Sequence, residues 1–142
     1  MNNRKLLIYL LLLLLFHSCK KTEIEKSLGD MVAGEYKGTS IILGGTEIPL
    51  PLESGTNYLN LDFTVTKSTE LTANLQLIFT EKSNGVLSTE TEDHPNLKLI
   101  RKEDSGIGLM ENGEELAVVF GQNIEMTVVI EELTTTFKGL KK

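Results

Sequence analysis

The stretch Glu90-Thr91-Glu92-Asp93-His94-Pro95 gathers three carboxylates and an imidazole, and Glu103-Asp104 follow soon after. Such a set could hold a cation. Zinc, however, takes two or more nitrogen or sulfur ligands, and one imidazole is a poor start; calcium takes an oxygen-rich loop with a glycine-permitted bend that this stretch lacks. The pattern therefore reads as a solvated acidic loop ended by Pro95, with no metal bound. His94 could in principle orient a serine, but the chain has no Gly-x-Ser-x-Gly elbow and its spacing sets no hydroxyl beside the ring. Paired carboxylates for glycoside hydrolysis arise from a fold rather than from spacing, and among twenty acidic residues chance pairs are expected. Gly44-Gly45 precedes Thr46-Glu47-Ile48-Pro49 instead of a helix with a lysine, so no phosphate loop is indicated. The expectation is a protein that is not an enzyme and needs no cofactor.

The remaining reactive side chain is Cys19, the only cysteine. A single thiol forms no intrachain disulfide, so the fold must rest on its apolar core. Before it come a basic start, Asn2-Asn3-Arg4-Lys5, and an unbroken apolar run from Leu6 to Phe16. That run reaches only about half way across a bilayer core at 1.5 Å per residue, which favours a cleaved leader over a retained span. Phe16-His17-Ser18-Cys19 resembles the lipobox of bacterial lipoproteins. The resemblance implies removal of residues 1–18 by signal peptidase II and a diacylglycerol and a further acyl chain on Cys19. At about 0.8 kcal/mol per buried methylene, several chains hold a domain at a membrane where one would not.

The formal charge of −6 becomes more negative when Arg4 and Lys5 leave with the leader. Nucleic acid is thereby an unlikely partner, because no basic patch could displace the counterions of a phosphate backbone. An acidic domain is also repelled by an anionic leaflet, so the anchor rather than the domain surface has to do the holding. After Cys19, the charged segment 20–27 shows no periodicity and reads as a tether about 15 Å in reach. Residues 27–33 could form one helical turn capped by Ser27 or Asp30. The expected organisation is a signal peptide over 1–18, a lipidated tether and short helical turn over 19–33, and a β domain over 34–142.

From Gly34 the pattern turns to period two, as in strands with one buried face. Leu59, Leu61, Phe63 and Val65 alternate with polar residues; Leu71, Ala73, Leu75, Leu77 and Phe79 alternate with Thr72, Asn74, Gln76, Ile78 and Thr80, and later Ile124, Met126, Val128 and Ile130 with Glu125, Thr127, Val129 and Glu131. Asn112-Gly113 and Asn84-Gly85 are strong two-residue hairpin signals, since both central positions of a type I′ turn need positive φ. Pro49 and Pro51 confine their segment to an edge strand or an extended loop. Nine candidate strands result, over 34–43, 58–66, 71–80, 86–91, 97–101, 106–110, 115–120, 124–130 and 134–140. Short links between them predict an all-β, antiparallel up-and-down barrel of about eight strands, with a β-sandwich as the alternative.

Gly34-Glu35-Tyr36-Lys37-Gly38 resembles the opening strand of the calycin-like and lipocalin-like β-barrel lipoproteins of Bacteroidetes, which carry Gly-x-Tyr-x-Gly or Gly-x-Trp-x-Gly there. Tyr36 takes the place of the tryptophan that lipocalins set under the barrel floor. The resemblance implies a calycin-like barrel held at the cell envelope. With Lys20 rather than aspartate after the cysteine, it implies the outer membrane in preference to the inner, the face being open. An eight-stranded barrel is at the size where side chains either fill it or leave room for one small ligand. The candidate pocket is the interior, lined by Tyr36, Leu61, Phe63, Leu75, Leu77, Phe120, Met126 and Val128. Two functions follow: a lipid-anchored binding module for a small apolar ligand, or an interaction or structural lipoprotein with a filled core that meets a protein partner in the envelope.

Overall fold

The computed structural model describes residues 25–130 and 132–142. A short helix, α1 (Leu28–Val32), precedes ten strands: β1 (Gly34–Leu43), β2 (Thr46–Pro49), β3 (Leu52–Ser54), β4 (Asn57–Lys67), β5 (Thr72–Ser83), β6 (Val86–Arg101), β7 (Ile107–Glu111), β8 (Glu114–Phe120), β9 (Asn123–Ile130) and β10 (Leu133–Lys141). Pairing runs antiparallel from β1 through β10, β9, β8, β7, β6 and β5 to β4, and β4 returns to β1. Eight strands thus close an up-and-down barrel, as the short links predict. β2 and β3 lie outside the ring, edge partners of β1 and β4, which is where Pro49 at the end of β2 and Pro51 just before β3 are tolerated.

The two hairpin signals form as expected: Asn84 and Gly85 have φ of 50° and 84°, Asn112 and Gly113 51° and 91°. The predicted break between 86–91 and 97–101 does not exist. Both are one strand, β6, and the supposed acidic loop lies within it. Its proline is accommodated by a bulge: the register with β5 steps from Ala73↔Leu97 to Leu75↔His94, leaving Pro95 and Asn96 opposite Asn74. Asn96 takes φ 57°, and its N–H donates to Asn74 Oδ1 at 2.8 Å.

One end of the barrel is capped. Ser27 accepts the N–H of Asp30 at the start of α1, and Lys67 reaches both carboxylate oxygens of Asp30 at 2.8 and 2.9 Å. Lys67 and Ser27 together hold that carboxyl below the usual range. Val32 at the end of α1 is buried in the barrel core, so the helical turn belongs to the domain rather than to the tether. The Tyr36 hydroxyl donates to the Val32 carbonyl at 2.6 Å, and Lys141 from β10 lies 5.6 Å from the centre of the Tyr36 ring while donating to the Ala33 carbonyl.

Tyr36 is fully buried, and burial pushes its phenol from its ordinary value near 10 up to about 12. The neutral form is thereby favoured in the folded state, so its contribution is complete below about pH 10 and is lost as pH rises towards 12. Two pH units correspond to a loss on the order of 3 kcal/mol. Tyr36→Phe is expected to cost about 1–2 kcal/mol at neutral pH through the orphaned carbonyl. It should also lack the alkaline loss; urea midpoints of both proteins at neutral and alkaline pH would show the gap between them shrinking.

Candidate functional site

The inward faces of the strands meet in one core. Of the expected pocket residues, Tyr36, Leu61, Phe63, Leu75, Leu77 and Met126 are brought together there and are 0–2% exposed. A ligand-sized void beside them would leave their surfaces open to a water-sized sphere, and essentially none is open. The packing is close: a side chain on Gly139 would come within 2.9 Å of the Phe63 ring and 3.0 Å of Ile124. Val128 is only partly buried and packs at the edge of this core.

Phe120 is not where the pocket requires it. Val119 pairs with Ile124 on the inner face, so Phe120, opposite Asn123, falls on the outer one, and its ring lies over Gly106. The run Leu116-Ala117-Val118-Val119-Phe120 is apolar at every position, so period two could not fix which side faces inward; only the register does.

The other end of the barrel is built differently. β1 pairs with β4 only at Gly34–Lys37, β6 with β7 only at Lys98–Arg101, and β8 with β9 only at Ala117–Phe120. Away from the cap the strands part along these three seams. β1 turns to β2, β4 turns to β3, and the β7–β8 hairpin stands between β6 and β9. The result is a splayed mouth.

The mouth mixes apolar and acidic groups. Leu43, Ile130 and Leu133 are exposed on it, around Thr135, a buried threonine whose hydroxyl has no partner. Across the gap, the pairings Leu75↔His94, Leu77↔Glu92 and Phe79↔Glu90 turn His94, Glu92 and Glu90 to the inner side of β6, while Asp93 faces out and accepts from Gln76 at 2.8 Å. Alternation along a strand therefore divides the carboxylates that a loop could have gathered. His94 Nδ1 lies 3.1 Å from Glu111 Oε1, tying β6 to β7 beyond their last ladder pair. Its Nε2 is 3.3 Å from Glu92 but is not aligned for a hydrogen bond. Among the described residues no three His, Cys, Asp or Glu side chains converge in a way that could hold a metal.

A groove of about 370 Å³ follows the seam between β8 and β9, with Glu111, Glu114 and Glu115 on one side and Val128 and Val129 on the other. Lys102 binds Glu115 at 2.9 and 3.0 Å, and that pairing raises the lysine's pKa. Near β2, the Ser40 hydroxyl donates to Glu47 at 2.6 Å and, with Lys138, holds that carboxyl below its usual range. Sequence reasoning did not anticipate the seams, the Tyr36–Lys141 stack or the plugging role of α1, because each depends on which distant strands adjoin. The leader, the lipobox and Cys19 lie outside the described residues. No helix among the described residues is long and apolar enough to cross a membrane. No protein-family model, curated protein or solved structure matches this chain.

Proposed function

We propose that this protein is a non-catalytic, lipid-anchored lipoprotein of the cell envelope that works by presenting the splayed mouth of its barrel to a partner. The observation that carries this reading is the packed interior: six of the eight residues expected to line a small-molecule pocket instead fill it. Of the two functions compatible with the sequence, an enclosed apolar ligand needs space that Phe63, Leu61, Leu75 and Leu77 occupy. An interaction surface needs exposed apolar groups and unpaired backbone, and both are concentrated at the mouth. The anchor rests on the basic start, the apolar run and Ser18-Cys19, and the outer membrane is the preferred site on the ground of Lys20.

Two measurements test the reading. Cys19→Ser is expected to move the protein from the membrane to the soluble fraction; retention in the membrane would remove the acyl anchor from the account. Native mass spectrometry of the lipidated protein, released gently from its own envelope, is expected to show the polypeptide and its acyl chains alone. A small molecule that denaturation releases would instead restore the enclosed-ligand function.

A further inference from the structure

β6 has sixteen residues, and among the described residues its ladder with β7 begins only at Lys98. Residues 86–97 therefore have β5 on one side and, among the described residues, no strand on the other. Beyond the His94–Glu111 contact, residues 86–93 are exposed throughout, with Val86 72% and Leu87 63% open to solvent. A long exposed edge of this kind is a template for another strand, and proteins that do not use such an edge commonly shorten it, cover it or line it with charge, which here would repel a like-charged strand but not a basic one. Here Pro95 and its bulge interrupt only the inner end, and the outer residues keep a regular one-to-one register with β5.

The side chains on this edge select what could add to it. Val86, Ser88, Glu90 and Glu92 share one face; Leu87, Thr89, Thr91 and, at its end, Asp93 held by Gln76 share the other. Glu111 and Glu114, on the hairpin across the seam, add negative charge to the same side of the mouth, and Lys82 is the only cation on the strand ends and turns that form it, among the described residues. A second copy of β6 would bring like charges opposite one another, which is destabilising in a strand pair. An extended segment with alternating basic and apolar or β-branched residues meets both faces favourably.

We infer that the edge of β6 over residues 86–93 is a strand-addition site for an extended cationic segment of a protein partner, with its basic side chains set beside Glu90 and Glu92. Main-chain pairing supplies the attraction, and the alternation sets the register. This inference rests on the reading of the mouth as a presenting surface, and adds to it the chemistry of what is presented to.

The test uses the full lipidated chain in neutral detergent micelles and an octapeptide of alternating lysine and valine. Hydrogen exchange should slow on addition of the peptide within residues 86–93, and the affinity should fall about tenfold or more for Glu90→Lys/Glu92→Lys, both exposed and outside the core. A peptide with alternate backbone nitrogens methylated on its pairing edge, and one with glutamate replacing lysine, should each fail to bind. Equal binding by the methylated peptide would reduce the interaction to charge alone and overturn strand addition. Equal binding by the glutamate peptide would overturn the cationic preference, and protection elsewhere or no binding at millimolar peptide would overturn the site. None of these failures would disturb the packed interior or the Cys19 anchor, whose tests are separate.

Discussion

Gly38→Ala is expected to destabilise the barrel by more than about 3 kcal/mol, a large part of the margin that holds a domain of this size together. β1 and β4 pair from Gly34↔Val65 to Lys37↔Asp62 and then part. Gly38 stands at the parting point, and a Cβ there would run into the Leu61 carbonyl oxygen, with the Leu50 side chain also 3.2 Å away. Backbone cannot yield as the far end of a side chain can, so the methyl must push the two strands apart where the ring closes. The neighbouring Thr39→Ala, exposed and bulged out of the β10 register, should cost little. Urea denaturation of the two variants beside the parent would measure the contrast; similar midpoints for all three would show that closure does not depend on this approach.

Truncating Phe63 should cost about 3–5 kcal/mol, the range for removing a buried aromatic side chain from a packed core. Its ring is fully buried, lies against Gly139, and comes from the position paired with Tyr36. Because the surrounding side chains come from different strands, collapse into the vacated space should be incomplete. Phe63→Ala should then acquire what the parent lacks: an apolar void that takes up benzene, seen as a rise in its unfolding temperature with added benzene and none for the parent. A parent that responds equally would already contain the cavity. Phe63→Glu is expected not to fold, since it would bury a carboxylate with no partner.

The barrel was largely legible in the residues because its strands obey period two where one face is wet. Leu61 and Phe63, Leu75 and Leu77, and Ile124 and Met126 alternate with neighbours that are polar but for Ile78, and all face inward. The two Asn-Gly turns fixed the hairpins they join. Legibility ended where the deciding partner is remote in sequence. Pro95 signals a stop when read locally, yet a bulge opposite Asn74 carries the strand past it. Phe120 sits in an apolar run with no alternation, so its side was set only by pairing with β9. The candidate pocket failed in a related way: alternation tells which side chains point inward, but whether they leave space depends on how rings from opposite strands interlock, as Phe79 and Phe137 do edge to face at 6.1 Å.

The described chain enters the barrel through α1 and leaves it at Lys142, whose N–H donates to the Glu35 carbonyl, so both passages occur at the capped end. Suspended from Cys19, the molecule would hang by that end, where Lys37, Lys67, Arg101, Lys102 and Lys141 stand among Asp30, Glu35, Glu70, Glu103 and Asp104, while the mouth carries Glu90, Glu92, Glu111 and Glu114. β6 alone runs about 50 Å at 3.3 Å per residue, several times the screening distance of about 8 Å in physiological salt. The repulsion anticipated for an acidic domain beside an anionic leaflet would then weaken, because the excess negative charge sits at the far end, beyond the screening distance. What would remain is a preferred orientation: with mixed charge at the near end and an acidic mouth, the electric dipole of the barrel would lie along the membrane normal, its negative end outward.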